Sequence, residues 1–190
     1  MNIGTLLLFW TICITVNCHA ANEKSRSGEY NLKAVNIYGF GNYIRWPEYT
    51  KIRTDFVITV YGDSPILGAL QIIASKKKIA NKPIVVKSVT SISDIPQSEI
   101  LFISESVPQG EISKILEHTA LSRSKPLIVA DTPRMFQTGI DIAFCVIEDR
   151  VRFVLDAENV NRNGLTIDAK LLRLGMAPDS PEFQQHLVAD

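Results

Sequence analysis

The chain has 190 residues, with 20 Lys and Arg against 20 Asp and Glu, so its formal net charge is zero. Apolar residues make up 46% and charged residues 21%, ordinary globular usage that excludes a disordered, collagen-like or polytopic membrane chain. A neutral balance also lacks the basic surplus of a nucleic-acid binder, and the one basic cluster, Lys76-Lys77-Lys78, reads as a solvated helix end.

Residues 1–22 carry no Asp, Glu, Lys or Arg, and Ile3 to Val16 is a largely apolar run. As a helix that run reaches about 21 Å, short of the roughly 30 Å of a bilayer's hydrocarbon core. It suits the apolar core of a secretory signal, with Cys18-His19-Ala20 as the cleavage site. An uncleaved anchor and a lipidated Cys18 stay open. Cleavage after Ala20 removes Cys13 and Cys18 and leaves Cys145 as the one cysteine, in the apolar run Ile142 to Ile147. A lone cysteine makes no internal disulfide; it reads as a small buried hydrophobe, with an intermolecular or redox-sensing thiol as the alternative.

The expected layout is a signal peptide over 1–20, a flexible segment over 21–28, an α/β domain over 29–177 and a loose polar tail over 178–190. Glu29 to Trp46 reads as a helix ended by Trp46-Pro47. Tyr30, Ala34, Ile37, Gly41 and Ile44 share one face by 4-3-4-3 spacing. Leu32, Val35, Gly39 and Tyr43 form a second face, nearly opposite. A helix apolar on two sides needs cover on two sides: either the domain sandwiches it, or the second face awaits a partner.

Phe56 to Tyr61 is rich in β-branched and aromatic residues and reads as a strand. Gly62-Asp63-Ser64-Pro65 then signals a capped helix over Ile66 to Ser75. Further strands are expected at Pro83 to Val89, Ile100 to Ile103 and Leu127 to Ala130, with a helix over Glu111 to Leu121. Asp131-Thr132-Pro133 repeats the cap-plus-proline signal before a short helical turn. Ile140 to Ile147 and Val151 to Leu155 form a hairpin about Glu148-Asp149-Arg150. Glu158 to Asn163 is helical and stops at Gly164; Leu165 to Ile167 is extended; Asp168 caps a last helix through Leu174. Strands alternating with helices give an α/β fold, a mostly parallel sheet flanked by helices, with a late antiparallel hairpin.

Chemistry-bearing motifs are sparse. There is no G-K-[ST] loop and no G-x-S-x-G elbow. Gly39-Phe40-Gly41 lies inside a predicted helix and lacks a third glycine. His118 and His186 stand apart and form no metal cluster. Polar groups after the strands, Asp63, Ser64, Ser104, Glu105, Asp131 and Thr132, would line the crevice of a doubly wound sheet, although Asp63 and Asp131 also read as helix caps. No catalytic residue, metal or cofactor is expected.

The ordered segments nevertheless resemble a known family. Glu29-Tyr30-x-Leu32-Lys33-Ala34 leads to Trp46-Pro47, then to Tyr61-Gly62-Asp63-Ser64-Pro65 and Ile100-Leu101-Phe102-Ile103-Ser104. Val151-Arg152-Phe153, Gly164-Leu165 and Lys170-Leu171-Leu172-Arg173-Leu174 follow. The combination, over about residues 28–177, is similar to the YfiR family of bacterial periplasmic regulators. The resemblance implies a non-enzymatic repressor. Its partner would be the periplasmic sensor domain of a membrane diguanylate cyclase, and its effect lower cyclic-di-GMP signalling and less biofilm. The family's redox-linked disulfides have no counterpart beside a lone Cys145. Gly139 stands single where the family often pairs glycines, and Asp156 stands where it often has Asn. A small-ligand binder serving a sensor kinase or transporter is the alternative, and homodimerisation is open. Leu32, Val35, Gly39 and Tyr43 are the expected partner-binding residues.

Overall fold

The sheet explains itself from strand composition. Strand β2 (Phe56–Tyr61) is buried at every position, as are β5 (Ile100–Ile103) and β6 (Leu127–Ala130). A strand buried on both sides belongs inside a sheet covered by helices on both faces. The computed structural model, which describes residues 25–47, 52–122 and 124–189, places them so.

Helix α1 spans residues 25–43 and runs into β1 (Ile44–Arg45). After β2 come α2 (Ile66–Lys76), β3 (Lys78–Ile79) and β4 (Lys82–Val89). β5 leads to α3 (Gln109–Ala120), and β6 to a 3-10 segment (Pro133–Thr138). β7 (Ile142–Ile147) and β8 (Arg150–Leu155) precede α4 (Ala157–Arg162), β9 (Thr166–Ile167), α5 (Ala169–Leu174) and α6 (Pro181–Ala189). The main sheet has seven strands in the order β3-β4-β2-β5-β6-β7-β8. Its middle five are parallel, while β3 and β8 run antiparallel to β4 and β7. β1 and β9 form a separate two-stranded sheet.

Alternation along the strands divides the core. Ile100 and Phe102 of β5 join α1, α2 and Val160 of α4 on one face. Leu101 and Ile103 face the other way, towards Ile112 and Ile115 of α3 and Phe183 of α6. Polar punctuation fixes the connections. Asp156 accepts from Asn159 N–H to cap α4, and Asp168 accepts from Lys170 N–H to cap α5, both at 2.8 Å. Glu148 and Asp149 both adopt positive φ, giving the β7–β8 hairpin a two-residue turn of the type that matches strand twist.

The structure revises four expectations. α1 begins by Ser25, so the supposed loose stretch Ser25–Ser27 is helical, and it ends at residue 43 because Ile44 and Arg45 pair with Ile167 and Thr166. Arg150 belongs to β8 rather than to the hairpin turn. Lys78 sits in a strand, not a helix end: Ala80 and Asn81 at positive φ turn the chain into the β3–β4 hairpin. The tail is no loose end either, for α6 buries Phe183 completely, with its ring 5.5 Å from Phe136. The expected signal segment, with Cys13 and Cys18, lies outside the described residues. Among the described residues no helix is long and apolar enough to cross a membrane.

Candidate functional site

α1 lies on the sheet with its two faces in different worlds. Tyr30, Ala34, Ile37 and Ile44 are buried in the core, and Gly41 lets the helix close on the β3–β4 hairpin: a Cβ there would lie 2.5 Å from Ile79 Cδ1. The second face is not covered by the domain. Leu32 is 54% exposed, Val35 57% and Tyr43 37%, and nothing stands within 4 Å of a Cβ built on Gly39. The four residues anticipated as a partner surface thus share one side of one helix, with a notch at Gly39 between the larger side chains.

The buried face of α1 carries a charge. Lys33 has a side chain only 4% exposed, and Asp131, whose side chain is fully buried, receives it at 2.6 Å. An isolated buried ammonium is prohibitive, so such a group needs paired acceptors. Lys33 Nζ also meets Glu29 at 2.7 Å and the Asp131 carbonyl at 3.2 Å, and sits 4.8 Å from the centre of the Tyr30 ring. Asp131 Oδ2 accepts from Tyr30 OH at 3.0 Å and from Glu105 N–H at 3.2 Å. Glu105 accepts from Tyr30 OH at 3.3 Å and pairs with Arg26. Burial first, and then the charge of Asp131, hold the Tyr30 hydroxyl well above its usual range, so it stays a proton donor.

This network pins α1 to the carboxyl ends of β5 and β6. Of the six expected crevice residues, Glu105, Asp131 and Thr132 come together there, with Glu29, Lys33 and Arg134, around an open cleft of about 380 Å³. Asp63, Ser64 and Ser104 do not. Asp63 N–H donates to Ser106 Oγ at 3.0 Å, and Ser104 Oγ donates to the Asp63 carbonyl at 2.5 Å. Gly62 sits there at φ +88°, and a Cβ on it would lie 2.8 Å from Ser106 Oγ. The two loops interlock, so the topological switch point between β2 and β5 is filled by the protein itself. Neither aspartate caps a helix: at the start of α2 it is Ser64 Oγ that accepts from Ile66 N–H, at 3.4 Å, and no side chain caps the 3-10 segment through Thr132. Asp131 is taken by Lys33 and Tyr30 instead.

Cys145 also lines the cleft, yet the residue is buried, and burial pushes its thiol up to about 11, away from a reactive thiolate. Among the described residues no group of three or more His, Cys, Asp and Glu is placed to hold a metal. His118 lies half-buried on α3 and His186 falls within α6.

The segment that builds this network, Glu29 to Ala34, opens the stretch that matches a family model, described as YfiR/HmsC-like, over residues 30–176. The chain belongs to the YfiR/HmsC-like family. No curated protein matches it. The family stretch runs from the buried Tyr30 to Met176, whose backbone pairs with Phe153 and Leu155. Its first and last residues in this YfiR/HmsC-like chain are therefore packed structure.

Sequence reasoning missed Lys33 and Tyr30 as partners of Asp131. The signal was present: Lys33 stands at i+3 from Tyr30 and one residue before Ala34, on the stripe that is otherwise apolar. A lysine on a core-facing stripe demands a buried carboxylate.

Proposed function

We propose that this protein is a periplasmic, non-enzymatic repressor that binds the periplasmic sensor domain of an inner-membrane diguanylate cyclase and lowers cyclic-di-GMP output. Its membership of the YfiR/HmsC-like family supports a regulatory role. The observation that carries the reading is the second face of α1: Leu32, Val35 and Tyr43 stand exposed on a helix whose other face is locked in place by Lys33 and Asp131. A rigidly held apolar face spends little conformational entropy on binding. Repression then works by population shift, the inhibitor binding the inactive cyclase state more tightly than the active one. A difference of about 3 kcal/mol changes that equilibrium roughly 150-fold.

The test is capture of the cyclase's periplasmic domain by the purified protein. Leu32→Asp and Tyr43→Asp should each abolish capture while the domain stays folded, because both side chains stand on the exposed second face. Unfolding of both variants would show the face to be core. Normal capture by both would remove the surface from the reading. The small-ligand alternative rests on the cleft beside Glu105, Asp131 and Thr132. Its buried charges already satisfy one another, which argues for a structural knot over a vacant binding site. A ligand screen that raised the melting temperature would reverse that preference.

A further inference from the structure

Residues 64–93 hold five lysines and no Asp, Glu or Arg, in a chain of zero formal net charge. Lys76, Lys77, Lys78 and Lys87 are exposed. The fold gathers them at one edge of the main sheet: α2 ends at Lys76, β3 begins at Lys78 and β4 runs Lys82–Val89. β3 covers only Lys82 and Pro83 of β4. Beyond Pro83, no strand among the described residues pairs with the outer side of β4. Val89 turns its carbonyl inward to Gly62 N–H at 2.9 Å. Backbone groups alternate along a strand, so Val86 and Ser88, beyond the reach of β3, turn theirs outward.

We infer that this outer edge of β4 accepts an extended, acidic segment of a partner protein as an added strand. An open edge supplies main-chain hydrogen bonds to an incoming strand, and alternate side chains supply selectivity. The lysines decide the occupant. They repel a second copy of the same edge, which is how natural sheets avoid self-pairing, but they attract carboxylates. Lys87 lies on the edge strand itself, and Lys76 to Lys78 flank its entry. This surface is separate from the exposed face of α1 and stands whether or not that face binds a cyclase.

The experiment uses the purified protein and a fluorescent decapeptide of alternating Glu and Val, followed by anisotropy. Saturable binding is expected, weakening about tenfold between low and physiological salt as screening sets in. Amide exchange should slow at Val86 and Ser88 in the complex. A backbone N-methylated copy of the peptide, which keeps its charge and loses its N–H donors, should bind at least about tenfold more weakly. The exposed double variant Lys78→Glu with Lys87→Glu should lose binding while keeping its circular dichroism. Equal binding of the N-methylated peptide, absent protection on β4, or no binding at all would each overturn the proposal. So would binding to phosphatidylglycerol vesicles in place of the peptide, which would make the basic edge a membrane-facing surface.

Discussion

Replacing Lys33 by Met tests whether the buried ion pair holds α1 in place. The variant keeps most of the length of the unbranched side chain and removes its charge. Asp131 would then retain Tyr30 OH and Glu105 N–H as donors but lose the Lys33 ammonium, with its side chain fully buried. Leaving one member of a buried pair uncompensated costs about 3–5 kcal/mol, a large part of the 5–15 kcal/mol typical of a domain's stability. The reverse change is milder. In Asp131→Asn, Lys33 keeps Glu29 at 2.7 Å, whose side chain is 31% exposed and already partly hydrated. The expected loss is about 1–3 kcal/mol, that of weakened hydrogen bonding to a charged group. The double variant removes both buried charges and should be more stable than Lys33→Met alone, with a coupling of at least about 1 kcal/mol. Urea unfolding followed by circular dichroism measures all four proteins. A Lys33→Met variant within about 1 kcal/mol of wild type, or a double variant that only adds the two single losses, would refute the pairing argument.

Three further outcomes follow from other parts of the fold. Burial pushes the Asp141 carboxyl up to about 6, although Ile128 N–H and the side-chain amides of Asn163 and Asn159 pull it down. The folded protein therefore binds the proton more tightly than the unfolded chain. Its stabilising contribution is complete below about pH 4 and is lost as pH rises through about 6, a change of about 3 kcal/mol; in Asp141→Asn, unfolding curves from pH 4 to 7 should lack that component. Phe183→Ala empties a fully buried position beneath α6 and should cost about 3–5 kcal/mol in urea unfolding, with earlier proteolysis of the tail; a normal midpoint would return residues 181–189 to a loose end. Iodoacetamide at pH 8 should alkylate Cys145 far more slowly in the native protein than in urea, because the thiol is buried and held neutral up to about 11; equal rates would contradict its placement.

What the sequence disclosed and what it withheld divide along a physical line. β2, β5 and β6 were legible to the residue because each is a short run of β-branched and aromatic side chains between turn signals. The two faces of α1 followed from spacing alone, and Asp168 belongs to a pattern of local hydrogen bonding. Asp131 was misread because a local rule, an aspartate just before a proline turn, competes with a partner 98 residues away on α1. The β3–β4 hairpin was missed because Ala80 and Asn81 adopt positive φ without a glycine to announce it. The interlocked loops at Gly62 and Ser104 likewise depend on a contact 41 residues apart. A lysine on the core-facing stripe announces that a carboxylate is needed, but which residue answers across such distances leaves no mark in a window of sequence.

The Lys33–Asp131 link also orders events in time. α1 comes early in the chain, yet what neutralises its buried lysine stands at the end of β6, and its last carbonyl, on Tyr43, accepts from Asp168 N–H at 2.8 Å, later still. Closing loops of that length before contacts reward them slows folding. Until β6 is in place the helix has no home for its charge and no sheet for its stripe. A chain cut short before Asp131 would carry the whole of Leu32 to Tyr43 and still be unable to present it, so the earliest-made surface of the protein is among the last to acquire its shape.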